Sequence, residues 1–384
     1  NGLNDIAAQT FGKVTATVED SAANLATKLK TASTDAITVK VTGITATAAD
    51  LIAIDKVTSV VVDAKAVKTI TADAADVADV TTVLAAKTIA KAADVAVTIN
   101  DAVTALEANS IAKLTTGVVT ATVADGSASY LNTTLKDAKA TDALTLTVNG
   151  TTASAATLEA LNAKTSKAIT VEAKEVVGTL AQLETVFDTN ADDYKGLGNK
   201  NIKVSGTVAV TDLGDLDAIL ATTSGVVTAT VGAGSATNLI ADLTNATSGK
   251  DASTLVTDNA AATADELLAL DDATSVTVNA KAITANGISG NAADLKKLIA
   301  SKGVELANNV GITASGTTNA ADLGAILKAT TGKVTATLDP ATTIEAATVA
   351  LLKDVKATDA ITFKTTDTGL DGNAEINALI SLNK

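Results

Sequence analysis

Histidine, cysteine, methionine and tryptophan are absent from the 384-residue chain. Arginine is absent too, so all 29 cationic side chains are lysines. Each absence removes a chemistry. Without His or Cys there is no zinc or haem site of the usual ligand types, no Cys or Ser–His nucleophile and no disulfide. Without Arg there is no bidentate fork for phosphate. Three Phe and two Tyr are too few for base stacking, and 43 acidic against 29 basic side chains leave a formal charge of −14. Both facts argue against nucleic acid as a partner. No apolar run reaches the ~18 residues of a membrane span, and no basic stretch leading into an apolar one opens the chain. With no Met, residue 1 is not a translational start, so a processed product or a window of a longer chain is expected.

What is present is 47% hydrophobic, with a mean hydropathy of +0.30. A large core is affordable, and it has to be built from Val, Ile, Leu and Ala. One Pro and 24 Gly fit a chain with few irregular loops.

Repeats occur at two scales. Val-Thr-Ala-Thr-Val stands at 14–18, 119–123 and 227–231, and Val334–Leu338 is a fourth copy; the intervals are 105, 108 and 107 residues. The phrases KDAKATDALTL from Lys136 and KDVKATDAITF from Lys353 keep the same phase, as do VDAK, VEAK and VNAK from Val62, Val171 and Val278. The expected organisation is one continuous array over 1–384, with super-repeats 14–118, 119–226 and 227–333, a partial one at 334–384, and 1–13 ending a preceding unit.

A shorter period lies inside each copy. Pentads with apolar residues at alternate positions begin at Val14, Ile37, Val60, Val95, Val119, Leu144, Ile169, Val227, Val276, Val310, Val334 and Ile361. Alternation with β-branched residues predicts strands with one buried face. Helix starts follow most of them, at Ser21, Thr47, Ser154, Ser235, Thr263, Asn291 and Asn319, where a capping oxygen precedes Leu at helical spacing. The fold expected is an α/β repeat: an elongated solenoid of parallel strands, each followed by a short helix, leucine-rich-repeat-like but without that family's Asn ladder. With strands about 4.8 Å apart, 14–15 units would extend roughly 70 Å. Tandem immunoglobulin-like sandwiches are the alternative, since ~100 residues is the size of one; the recurrent helix starts speak against it.

The run SGTVAV-TDLGDLDAIL-ATTSGVVTATV from Ser205 to Val231, and Ser21-Ala22-Ala23-Asn24-Leu25, resemble the strand–helix repeats of giant bacterial secreted cell-surface and S-layer-like proteins, including cyanobacterial ones. The resemblance covers essentially the whole chain. It implies an extracellular, assembling, non-enzymatic role.

Calcium is the one metal this composition permits, because it takes oxygen ligands. Asp188, Asn190, Asp192 and Asp193 begin like an EF-hand loop, but Asp193 replaces the turn glycine and Asn199 the closing Glu. Asp367, Asp371, Asn373 and Glu375 form a second oxygen-rich group; turn and cap chemistry accounts equally for both. Thr-x-Thr strands at 15/17, 120/122, 145/147, 228/230 and 335/337 suggest an ice-binding face, although Lys40, Asp63, Glu172, Asn279 and Lys364 interrupt the array. The carboxylate clusters Asp271-Asp272 and Asp212/Asp215/Asp217 lack the aromatic platforms of a sugar cleft. Asn132, Asn149 and Asn245 open glycosylation triplets. No catalytic residue and no resident cofactor are expected.

The leading expectation is a structural protein that partners itself in a homo-oligomer or polymer, forming a filament, sheath or surface layer. A calcium-dependent adhesin stalk or S-layer array and an ice- or carbohydrate-binding module are the alternatives. Since 3–13 aligns with 323–333, both ends carry interior phases of the pattern, and completion by further chain or by a neighbouring subunit is expected.

Overall fold

A computed structural model describes residues 2–339 and 346–363. Strands and short helices alternate along the chain, and every described strand pairing is parallel. The fold is α/β. Immunoglobulin-like sandwiches are antiparallel, so that alternative is ruled out for the described residues. The chain divides into two compact units, Asn1–Val176 with Thr185–Leu197, and Val177–Glu184 with Gly198–Lys384.

All twelve predicted pentads fall on or within two residues of a strand, and the alternation reads out as burial. In Ala36–Val41, Ile37, Val39 and Val41 are buried while Thr38 and Lys40 face outward. Val119–Val123 and Val227–Val231 bury Val, Ala and Val in the same alternation. Each buried Val or Ile withdraws about 1.5–3 kcal/mol of apolar surface from water, which is how a core with almost no aromatics is held. Among the described residues Phe187 and Tyr194 are the only buried aromatics.

The helices start where the capping signals stand. Ser21, Thr47, Ser235, Asn291 and Asn319 accept the N–H three residues ahead, and Thr263 closes a full capping box with Glu266. Ser154 occupies a cap position without making the side-chain bond. Thr104, boxed with Glu107, and Ser127 cap two helices that the sequence analysis passed over.

Most segments carry two strands ahead of the helix, a pairing that the periodicity did not reveal. In the first unit Thr15–Asp20, Ala36–Val41, Val62–Asp63 and Ile89–Ala90 form one ladder. Thr45–Thr47, Thr69–Ala72, Ala96–Val103, Val119–Val123 and Ala143–Thr145 form another. Pieces of two to four residues are too short to show alternation. The long step from Val60 to Val95 is explained by the hidden strand Ile89–Ala90.

Val119–Val123 shows what the long period does. One edge pairs with Ala96–Val103, the second strand of the segment before it; the other pairs with Ala143–Thr145, the first strand of the segment after it. The second lane of strands therefore becomes the first lane at this point. In the other unit Val227–Val231 sits between Asn201–Val208 and Ala252–Thr254, and Val334–Leu338 between Ile312–Thr318 and Ala360–Thr362. At each handover the register slips, between Thr98 and Ala102, Lys203 and Thr207, and Thr313 and Thr317. Three residues there oppose one, a bulge. Gly206 and Gly316 serve it with φ of 84° and 73°, a conformation that favours glycine. The Ser-Gly-Thr phrase is this bulge.

Candidate functional site

The polar side chains that recur with the long period lie at the joints between successive segments. Val14, Val119, Val227 and Val334 each donate their backbone N–H to Oδ1 of an aspartate in the next segment: Asp35 at 2.9 Å, Asp142 at 2.9 Å, Asp251 at 3.1 Å and Asp359 at 2.8 Å. Oδ2 of the same carboxylates accepts the N–H of Ala32, Lys139, Thr247 and Lys356, at 2.8, 2.8, 3.1 and 2.8 Å. Asp142 and Asp251 are wholly buried. A buried carboxylate is tolerated when amide donors replace water, and here the donors are an edge amide of one segment and a turn amide of the next. The Val14 N–H, and then that of Ala32, hold the Asp35 carboxyl below its ordinary value of 3.8.

Three of the clamps carry a lysine. Lys139, Lys250 and Lys356 place Nζ 3.8, 3.5 and 3.4 Å from the clamp carboxylate. They also donate to carbonyls just after the helices Ala105–Ala112, Leu213–Thr222 and Ala320–Ala329: Thr115 at 3.1 Å, Thr223 at 3.2 Å and Thr330 at 3.2 Å. A cation there complements the negative end of the helix dipole.

A second joint is a threonine ladder. Thr58, Thr115, Thr165, Thr223, Thr274 and Thr330 donate their hydroxyls at 2.6–2.7 Å to the carbonyls of Ile37, Val95, Leu144, Lys200, Ser253 and Val310, one segment earlier. Each hydroxyl accepts the N–H two residues ahead. Ser59, Ser166 and Ser275 then bond the carbonyls of Asp35, Asp142 and Asp251 through both N–H and Oγ. Two signals were available in the sequence: an Asp-Ala pair 21–25 residues after the first Val of each VTAT phrase, and a Thr-Ser or Thr-Thr pair ahead of the strands.

Outward faces differ between lanes. The first ladder carries charge, with Glu19, Lys40 and Asp63 in register and Lys40 Nζ 2.7 Å from Glu19. The Glu19 carboxylate raises the Lys40 pKa above its ordinary 10.5. Lys40 and Asp63 interrupt the Thr array in that ladder, and Asn279, in register with Glu305, does so in another. In the second, Thr47, Thr71, Thr98 and Thr120 stand side by side on four strands, and in the other unit Thr263, Ser289, Thr313 and Thr335 do the same.

Asp188 ends up in a wide helical turn, Thr185–Thr189, and Asp192 and Asp193 in the short helix that Asn190 leads. Asp193 Oδ2 accepts from Asn162 Nδ2 at 2.7 Å. Among the described residues no group of three or more carboxylates converges on one point. Asp367, Asp371, Asn373 and Glu375 lie outside the described residues. Two of the clustered carboxylates are used in joints. Asp217 accepts Thr244 Oγ1 and the backbone and side-chain nitrogens of Asn245, each at 2.7 Å; Asp271 accepts Ser301 Oγ at 2.7 Å. The Asn245 amide of one glycosylation triplet is thereby engaged. Asn109 and Asp137 clasp reciprocally: the Asp137 N–H donates to Asn109 Oδ1 at 2.7 Å and Asn109 Nδ2 to Asp137 Oδ2 at 2.9 Å.

No helix among the described residues is long and apolar enough to cross a membrane. No protein-family model matches the chain, and no curated protein matches it either.

Proposed function

We propose that the chain is an extracellular structural protein of the solenoid type, a repeating array of strand–helix segments that self-assembles into a filament, sheath or surface layer. The observation that carries this reading is the recurrence of the aspartate clamp with its threonine ladder. Asp35, Asp142, Asp251 and Asp359 each join one segment to the next at the same place in the VTAT phrase, so the chemistry invested in polar burial is chemistry of stacking. Stacked segments leave strand edges and half-cores at an array's ends, which favour association with like surfaces. The likeness to giant bacterial surface repeats supports the extracellular placement, and the role is non-catalytic.

Negative-stain electron microscopy and light scattering of the purified chain test the assembly. Filaments or sheets of regular spacing are the expected result; a monodisperse monomer at every concentration overturns self-assembly. Antibody labelling of intact source cells tests the location, and signal confined to lysed cells overturns it. An ice- or carbohydrate-binding module is a second reading, favoured by the row Thr47–Thr71–Thr98–Thr120. Thermal hysteresis or a glycan-array signal would establish it, and silence in both removes it.

A further inference from the structure

Two asparagine–glycine pairs stand among the described residues, Asn149-Gly150 and Asn286-Gly287, and the fold holds them differently. Asn149 lies in the turn between Thr147–Val148 and Thr152–Ser154. Its side chain makes no hydrogen bond to the described residues. Gly150 is exposed, has a φ of 107°, and nothing stands within 4 Å of the place its Cβ would take. Asn286 is pinned, its Nδ2 donating to the Asn259 carbonyl at 2.7 Å. Gly287 lies against the next segment, where the Gly311 carbonyl oxygen is 2.8 Å from the Cβ position. The Gly287 carbonyl also accepts the Ala262 N–H at 3.3 Å.

The Asn149 turn is itself a joint. Its N–H donates to the Gly126 carbonyl at 3.0 Å, and the carbonyls of Val148 and Thr151 accept the N–H groups of Glu172 and Glu175 at 2.7 and 3.1 Å. The equivalent residue of the next super-repeat is Asp258. Its N–H donates to the Gly234 carbonyl at 2.8 Å, and its Oδ1 accepts the Ala260 N–H at 2.8 Å. A carboxylate therefore suits this turn, where it bonds the backbone two residues on.

We propose that Asn149 is a site of spontaneous deamidation and backbone isomerisation, and that the same fold spares Asn286. The Gly150 peptide nitrogen gives its proton to base and attacks Asn149 Cγ. A C–N bond forms there, the bond from Cγ to the side-chain nitrogen breaks, and ammonia leaves behind a succinimide ring. Glycine favours the closure because no Cβ hinders its nitrogen and its backbone turns freely. Water then opens the ring at either carbonyl. One opening gives aspartate, which reproduces the turn of Asp258. The other gives isoaspartate, whose main chain runs through Cγ and is one methylene longer. That methylene falls between the Val148 and Thr151 carbonyls, so it loosens the joint to Glu172 and Glu175. At Asn286 the bond to Asn259 and the packing of Gly287 on Gly311 oppose the rotations that closure requires.

The test incubates the chain at mildly alkaline pH, folded and in urea, and follows both asparagines by peptide mass spectrometry. In urea the two pairs are expected to react at similar rates. In the folded chain Asn149 is expected to convert several-fold faster than Asn286. Equal folded rates, or a faster Asn286, overturn the assignment. Enzymatic methylation of isoaspartate then counts the isomerised fraction, and its absence at Asn149 overturns the isomerisation. Asn149→Asp supplies the first product directly and is expected to keep the wild-type unfolding midpoint. Chain carrying isoaspartate is expected to exchange the Glu172 and Glu175 amides several-fold faster than the Asn149→Asp chain. Equal exchange in the two overturns the loosening of the joint.

Discussion

Replacing Asp142 by alanine strips the acceptor from two amides at once, those of Val119 and Lys139, in a place with no access to water. A buried donor left without a partner costs about 1–3 kcal/mol. The ion pair with Lys139 adds little, because the lysine is about one-third exposed. Together the loss comes to about 3–5 kcal/mol. At about 2–4 °C per kcal/mol for a region of 150–250 residues, the unfolding temperature should fall by roughly 6–20 °C. Asp142→Asn keeps one acceptor and turns an NH₂ group toward the other amide, so it should lose about 2 kcal/mol. Asp125→Ala, at an exposed position, is the control and should stay within about 0.5 kcal/mol. Calorimetry reads the midpoint, and hydrogen exchange at the Val119 amide reads the clamp directly. If Asp142→Ala matches Asp125→Ala, or Val119 stays as protected as before, the clamp is not what joins these segments.

Glycine substitutions should split by sign. A Cβ at Gly225 would meet the Lys200 carbonyl carbon at 2.5 Å and the Asn201 nitrogen at 2.8 Å, whereas one at Gly214 meets nothing. Gly225→Ala should cost about 1–3 kcal/mol, and Gly214→Ala, inside a helix, should add about 0.5–1 kcal/mol, both visible in denaturant midpoints. Thr165→Val removes the 2.6 Å bond to Leu144 and orphans the Lys167 amide; it should cost about 1–3 kcal/mol, and a cost no larger than at an exposed threonine would discount the ladder. The Asp35 carboxyl is held below 3.8 by the amides it accepts, so its stabilising share is intact above that pH and lost as the folded pKa is passed on acidification. Asp265 has the opposite sign. The neighbouring Asp294 raises its pKa above 3.8, so its repulsion is felt at neutral pH and relieved as pH falls through the raised value. Asp265→Asn should therefore raise the midpoint at pH 7 and flatten its pH dependence near pH 4, while an unchanged profile would refute the repulsion.

How much was legible beforehand depended on the range of the interaction concerned. Strand positions and helix starts were readable because alternation and capping act within three or four residues: Ile37, Val39 and Val41 face one way in any extended chain, and Ser21 caps Asn24 wherever the helix goes. The aspartate clamp and the threonine ladder were present as recurring phrases but carried no assignment. Their partners lie 20–25 residues away, and nothing in a single sequence says which backbone amide a buried oxygen will meet. The calcium reading of Asp188–Asp193 could not be settled by spacing for the same reason. Spacing places oxygens along a chain, while convergence of three carboxylates is a property of the folded segment. The doubling of strands within a segment was hidden because many of its pieces, such as Thr45–Thr47 and Ile89–Ala90, are two or three residues long and hold no period.

The absences in the composition determined by themselves that the core is aliphatic and that no histidine, thiol or guanidinium chemistry operates here. The repeated phrases likewise determined that one strand–helix design is used several times over. Only the tertiary structure decided which strands lie side by side, and that one lane passes into the next at Val119–Val123, Val227–Val231 and Val334–Leu338. These are choices among pairings of nearly equal local merit, and the chosen one gives buried groups such as the Val119 and Lys139 amides and the Asp142 carboxylate their partners.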